Sequence, residues 1–397
     1  MPTFFLLIIT YLGFISLGLP DSILGVVWPS VYPRFGVSAG NLGMVLAATV
    51  LGYLVSSFQA GWLLQRLGVG GLLAGSCALV TISLTGFALA PVWALFVACG
   101  VIAGLGAGAI DSGLNAYAAR RFSARQMSWL HACWGVGATL GALATTTILA
   151  RGLAWPWSYG LLAMVMAGMT MLFTLTRNAW QSDAAPDRPP EAEVTGAAAL
   201  QEEPATMREA IRHPLVQAQV LLFFVYTGTE MTAANWAYTL LTQYRGLSEG
   251  IAGSAVTLFW VSLTAGRFGL GAIADHVGVP RLLSFSVTSG LVGGLVFAFA
   301  PWMPVSIAGL ALLGASLAPI YPGMMTLTPR HLGRLADHAV GFQVGSATLG
   351  QVALPSLGGL LLVTYGPAAL NGLLALLVVA LWLALMGLLR RAARPSA

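Results

Sequence analysis

The chain has 397 residues, of which 57% are hydrophobic and only 8% charged. A soluble domain is about one quarter charged, so a water-facing fold is excluded and lipid is the solvent that fits. The formal charge of +5 comes from eighteen arginines and no lysine. Those arginines mark the ends of apolar segments rather than one patch, so no nucleic-acid partner is expected.

Apolar runs of about 20 residues, enough to span a hydrocarbon core, predict an all-α integral membrane protein with twelve crossings. In chain order they cover 4–33, 41–64, 70–90, 92–119, 127–150, 157–176, 214–244, 249–272, 280–300, 304–328, 338–363 and 367–390. The first run lacks a basic leader and a small-residue cleavage site, so it reads as a retained helix. Between the sixth and seventh runs lies a linker, 177–213, holding seven of the thirteen acids and four prolines. Such a composition cannot bury a core. Thr206 and Glu209 stand at capping-box spacing near its end and predict a short surface helix. The expected division is a bundle over 1–176, a cytoplasmic linker over 177–213 and a second bundle over 214–397.

With the N-terminus inside, fifteen arginines fall on cytoplasmic connections, Arg66, Arg267 and Arg281 among them. Only Arg34, Arg151 and Arg245 fall outside. This bias predicts both termini on the cytoplasmic side of a cell, or inner, membrane. Cys77, Cys99 and Cys133 sit in three different runs with no paired spacing, so packing is their expected role and no metal site is expected.

The halves repeat at an offset of 210. "GWLLQRLG" at 61–68 aligns with "GAIADHVG" at 271–278, and Gly18 and Trp28 align with Gly228 and Tyr238. Six helices repeated in the same orientation give two bundles related by a pseudo-two-fold axis along the membrane normal. The solute cavity then lies between them near the midplane.

The run "GAIADHVGVPR" carries the resemblance. With Gly271, Asp275, Gly278 and Arg281, the chain resembles the major facilitator superfamily over nearly its whole length. Its first-half copy has Gln65 in place of the aspartate. Within that superfamily, "LGLPDSILGVVWPS" and "AIDSGLNAY" are similar to the fucose permease group of sugar–proton symporters. That group has an acid in helix 1 and an acid followed by Asn in helix 4, which here are Asp21, Asp111 and Asn115. The resemblance further implies that helices 1, 4, 7 and 10 line the cavity.

Asp21, Asp111 and Glu230 all lie on those helices. An acid at the centre of a membrane helix costs about 2.5–3.5 kcal/mol even on insertion scales, so it faces a cavity or a partner. Burial disfavours the charged form of a carboxyl, which lets such a group exchange protons near neutrality. Asp111 and Asn115, at i and i+4, share one helix face, so one is expected to titrate while the other holds a hydroxyl. Glu230 either joins the relay or holds solute.

Trp28, His131, Trp134, Tyr226, Asn235, Trp236, Trp260, Tyr321, Gln343 and Gln351 are further candidate solute contacts, supplying rings and amides. Amides both donate and accept, which suits a polyol. Packing competes with this reading at every ring. Trp62, Trp93, Trp129, Trp155, Trp157 and Trp302 lie at helix ends and are assigned to interfacial belts. Gln65, Arg66, Gly271, Asp275, Arg267 and Arg281 are expected to gate the cytoplasmic end. Gln65 brings no charge, so the first-half latch is expected to be the weaker one. Pro20, Pro319 and Pro322 are expected to loosen backbone beside the cavity.

No phosphate loop, metal spacing or activated nucleophile is present, so no enzyme activity is expected. The leading expectation is proton-coupled uptake of a small polar solute such as a sugar, by a monomer without a cofactor. Sodium is the weaker alternative as coupling ion, because no cage of convergent oxygens is visible. A proton-driven exporter of drugs or metabolites, and a non-transporting receptor or lipid-moving protein, are the alternative functions.

Overall fold

The computed structural model describes residues 3–119, 121–122, 124–182 and 206–392. Its first crossing is made of α1 (Thr3–Gly18) and α2 (Ile23–Arg34), joined by a 3-10 turn over Leu19–Ser22. Pro20 has no N–H to continue the helical ladder, so the break falls at the residue before Asp21. α3 (Leu42–Leu89) is two crossings, interrupted at Gly68 (φ 68°, ψ 170°). α4 (Trp93–Ala119) shows that the chain doubles back there. Gly100, Gly104 and Gly108 meet residues 45, 49 and 53 in parallel order, whereas Gly106 and Cys99 meet residues 76–80 and 86 in antiparallel order.

α5 (Ala124–Ala150) and α6 (Pro156–Thr176) complete the first half. The short α7 (Ala179–Ser182) and α8 (Met207–Arg212) follow, and residues 183–205 of the linker lie outside the described residues. Thr206 caps α8 as its spacing predicts, accepting a bond from the Glu209 N–H at 3.2 Å. The Glu209 carboxylate pairs with Arg334 instead of closing the box.

The second half contains α9 (Pro214–Thr239) with a π turn over Leu240–Tyr244, then α10 (Glu249–Val277) and α11 (Val279–Phe299). α12 (Met303–Leu317) and α13 (Ile320–Leu332) form one crossing broken before Pro319, again where backbone loosening is expected. α14 (Ala336–Tyr365) and α15 (Pro367–Ala392) close the bundle. Among the described residues, ten stretches are long and apolar enough to cross a membrane, and the 51-residue Ala39–Leu89 crosses twice. α9 is the twelfth crossing, its apolar character diluted by Gln217, Gln219, Glu230, Asn235 and its threonines. Large apolar side chains on the outer faces, such as Phe58, Leu175 and Phe285, are at least 71% exposed, as lipid contact requires.

The repeat is visible in the backbone. Gly36 and Gly246 (φ 65° and 68°), like Gly68 and Gly278 (φ 68° and 86°), are pairs 210 residues apart in the left-handed region. It is also visible where the halves touch. Gly43 packs on Ser356, and its counterpart Gly253 packs on Thr146, the counterpart of Ser356. Gly25 packs on Asn235, which is its own counterpart. A contact that maps onto itself lies on the two-fold axis.

These contacts gather at one end of the molecule, where Tyr32 and Gln243 also exchange hydrogen bonds of 3.1–3.2 Å. The halves are therefore closed at the end that carries Arg34, Arg151 and Arg245. A side chain at Gly25 would place its Cβ 2.7 Å from the Asn235 Cα and 2.9 Å from the Ala234 carbonyl oxygen. The three atoms nearest that Cβ all belong to α9, so leucine there pushes first against α9. Overpacking of this kind costs about 1–3 kcal/mol, a shift of roughly 5- to 150-fold between conformers. We expect Gly25→Leu to fold and to populate the state open at this end, measured as increased labelling of a cysteine placed at Tyr32.

Candidate functional site

Three carboxylates lie on helices that meet between the halves, and each has different partners. Asp111 on α4 accepts bonds from Tyr53 Oη at 2.5 Å and Asn115 Nδ2 at 2.9 Å. Tyr53 reaches it because α3 and α4 run in parallel register, with Gly108 against the Tyr53 backbone. Asp21, in the 3-10 turn, accepts a bond from Trp134 Nε1 of α5 at 2.8 Å and remains exposed. Both donors to Asp111 and the donor to Asp21 are neutral.

Glu230 is buried on α9 and is differently placed. Tyr226 Oη donates to its Oε2 at 2.6 Å, and Arg267 Nη2 of α10 lies 3.8 Å from its Oε1. The same guanidinium stacks on the Trp134 ring, 5.0 Å from its centroid. Trp134 also meets Trp260 edge-on at 5.6 Å. A continuous chain of contacts thus crosses from one half to the other: Asp21, Trp134, Arg267, Glu230, Tyr226. Tyr321 joins it through its ring contact with Tyr226 at 6.2 Å, and stands within electrostatic reach of Asp111, Arg267 and Glu230. His131 is exposed, stands edge-on to Phe14 at 5.4 Å, and is within reach of the charges of Asp111 and Arg267.

Arg267 is the main correction to the sequence reading. It lies inside the crossing, against Glu230 and Trp134, and not on a cytoplasmic connection. α10 runs to Val277, beyond the expected end at 272, so Arg267 lies ten residues inside the helix end, with 17% of its side chain exposed. Arg66 stacks on Trp62 at 4.4 Å, and Gln65 and Arg281 are exposed at helix ends. The surroundings of Gly271 and the Asp275 side chain are outside what the structure describes.

Several candidate solute contacts are spent within the protein. Trp28 is fully buried and donates to the Ala39 carbonyl at 2.8 Å. Trp236 is fully buried and donates to the Pro355 carbonyl at 2.9 Å, anchoring α9 to α14. Gln343 is buried against Gln219 and Thr328 at 2.7 and 2.9 Å. Asn235 donates to Met231 O at 2.9 Å and packs on Gly25 at the closed end. Trp260 is fully buried, with no partner for its indole N–H among the described residues, and Gln351 is half-buried on α14. Trp93 and Trp155, expected in the interfacial belt, join Phe35, Phe96 and Tyr159 in an aromatic cluster. Trp62, Trp129, Trp157 and Trp302 are exposed.

Tyr53 was absent from the sequence candidates. Its signal is position: residues 45, 49 and 53 form an i, i+4 stripe of α3 against the glycines of α4.

A family profile described as the Major Facilitator Superfamily matches residues 10–234 and again 220–397. The glucose/mannose transporter GlcP of Bacillus subtilis is 21% identical over 358 residues, covering 88% of this chain and 86% of that protein. Sodium-dependent glucose transporter 1A of Mus musculus is 22% identical over 388 residues, 88% of each chain. The fucose–proton symporter FucP in its outward conformation superposes with a TM-score of 0.65 at 16% identity, over 98% of this chain and 99% of that one. With twelve crossings, a two-fold repeat and a polar site between the halves, the chain belongs to the Major Facilitator Superfamily and is a multi-pass membrane transporter of a small-molecule solute.

Proposed function

We propose that this transporter takes up a sugar or similar small polyol together with protons, rocking its halves, 1–176 and 214–397, as a monomer. One observation supports this reading above the others: the acids divide by partner. Glu230 has an arginine beside it, whereas the hydrogen bonds that Asp21 and Asp111 accept among the described residues come from the neutral donors Trp134, Tyr53 and Asn115, and the titratable His131 is the group within charge reach of Asp111. An acid without a permanent cation beside it gains more from taking a proton than one paired with an arginine. Asp21 and Asp111 are therefore assigned as proton carriers, and Glu230 with Arg267 as a charge-compensated pair beside the solute. Asn115, Trp134, Tyr321 and His131 supply the amide, ring and imidazole contacts.

The arginine asymmetry supports an orientation in the cell, or inner, membrane with both termini cytoplasmic. Without Arg267, fourteen arginines still stand against three. The closed end is then the extracellular one, and the conformer is read as inward-facing, with Asp21 and His131 still exposed. Asp275 and Arg281 remain the proposed latch of the cytoplasmic end, to be formed in the opposite conformer. Sodium coupling is the second reading, favoured by the name of the mouse relative.

Thermal stabilisation of the purified protein tests the solute class. D-glucose, L-fucose, a nucleoside, an amino acid and a cationic amphiphile form the panel. A site-specific binder at 100 times its Kd stabilises by about 2.7 kcal/mol. We expect a sugar to stabilise the protein and Asn115→Ala to abolish the effect. Stabilisation by the amphiphile alone would replace uptake of sugar with export.

A further inference from the structure

A second hollow lies outside the transport site, on the outer face of the molecule where α9 and α14 diverge. The two helices touch backbone to backbone higher up, where a Cβ on Gly350 would lie 2.1 Å from the Phe224 carbonyl oxygen. Toward the α8 end they leave a groove of about 510 Å³. Val220 and Ser346 form its floor, and Leu221, Phe224, Phe342 and Leu349 its walls. Gly341 and Gly345, one turn apart on α14, have open space where a Cβ would stand. Glycine in a helix interior costs about 1 kcal/mol relative to alanine, and no neighbouring helix approaches these two. They open the hollow and do nothing else visible in the packing.

The groove runs over residues 216–224 of α9 and 341–349 of α14, about 12 Å at 1.5 Å per residue. One leaflet of a hydrocarbon core is about 15 Å deep. Its mouth lies at the start of α9, where Ile211 of α8 contributes to the lining and Gln217 holds the Ile211 carbonyl at 3.0 Å. α8 buries Ala210 and exposes Met207 and Ile211 on one edge and Arg208 and Arg212 on the next. An apolar slot one leaflet deep, with two exposed cations at its membrane-surface end, has the shape and charge of an anionic phospholipid. We propose that the groove holds one acyl chain of such a lipid, with its phosphate bound by Arg208 and Arg212.

The test uses the full chain in vesicles of phosphatidylcholine and phosphatidylglycerol, with a phosphatidylglycerol probe carrying a photoreactive diazirine on one acyl chain. The expected labels map to residues 217–224 and 341–349 and are displaced by unlabelled phosphatidylglycerol in preference to phosphatidylcholine. Inorganic phosphate leaves them in place, which separates a lipid from a free anion. Arg208→Gln with Arg212→Gln is expected to weaken competition by phosphatidylglycerol roughly thirtyfold, the value for two arginines near a lipid surface. Gly345→Leu fills the hollow and is expected to remove the labels for both lipids. Even labelling of all lipid-facing helices would overturn the proposal. So would equal competition by the two lipids, displacement by phosphate alone, or crosslinks joining two copies of the chain through this groove.

Discussion

Asp111→Asn is expected to abolish uphill accumulation of solute while solute exchange across the membrane continues. The amide keeps the shape of the carboxylate and its partners Tyr53 and Asn115, at 2.5 and 2.9 Å, but cannot carry a proton. A proton crossing 100 mV supplies about 2.3 kcal/mol, so each lost proton removes on the order of 50-fold accumulation. The readout is radiolabelled solute in vesicles, once with an imposed proton gradient and once in counterflow. Loss of both activities would mean that Asp111 holds structure or solute. Retention of both would remove it from coupling altogether.

The second large effect concerns Arg267 and Glu230. Removing one partner of a buried ion pair leaves an uncompensated charge and costs about 3–5 kcal/mol. Arg267→Gln and Glu230→Gln are each expected to lower thermal stability, and the double variant to recover most of it. A double-mutant cycle then gives the coupling energy. Because Asp21 and Asp111 are assigned the protons, the double variant is expected to move the same number of protons per solute at a raised KM. A changed proton-to-solute ratio would place Glu230 among the proton carriers.

The crossings, the repeat and the three acids were legible in the sequence because each leaves a one-dimensional trace. Apolar length marks a span, an offset marks a repeat, and a carboxylate inside a span is too costly to be incidental. Pro20 and Pro319 likewise mark the two breaks beside the site. What the sequence withheld is which helix faces which. Trp28, Trp236 and Gln343 look like cavity residues because an intramembrane polar group needs a partner. Whether that partner is a solute or the Ala39 carbonyl depends on packing between distant segments. Tyr53 was missed for the same reason, since its role exists only through the register of α3 on α4. Arg267 was misplaced by a rule that counts arginines near helix ends, and the end of α10 lies five residues beyond its expected position.

The role proposed for Asn115 separates solute from proton chemistry. It touches Asp111 Oδ1, yet its amide has a second N–H and a carbonyl left for solute. An Asn115→Ala variant that loses sugar binding and an Asp111→Asn variant that keeps it would divide the two functions between neighbouring turns of one helix.

The central claim, that solute and protons move together through Asp21 and Asp111, is tested most directly in proteoliposomes. With membrane potential clamped and sodium absent, an inward gradient of D-glucose is imposed and external pH is followed. The account predicts external alkalinisation in step with uptake of D-glucose, lost in Asp111→Asn. Uptake of D-glucose without pH change, or uptake that appears only when sodium is added, would contradict it.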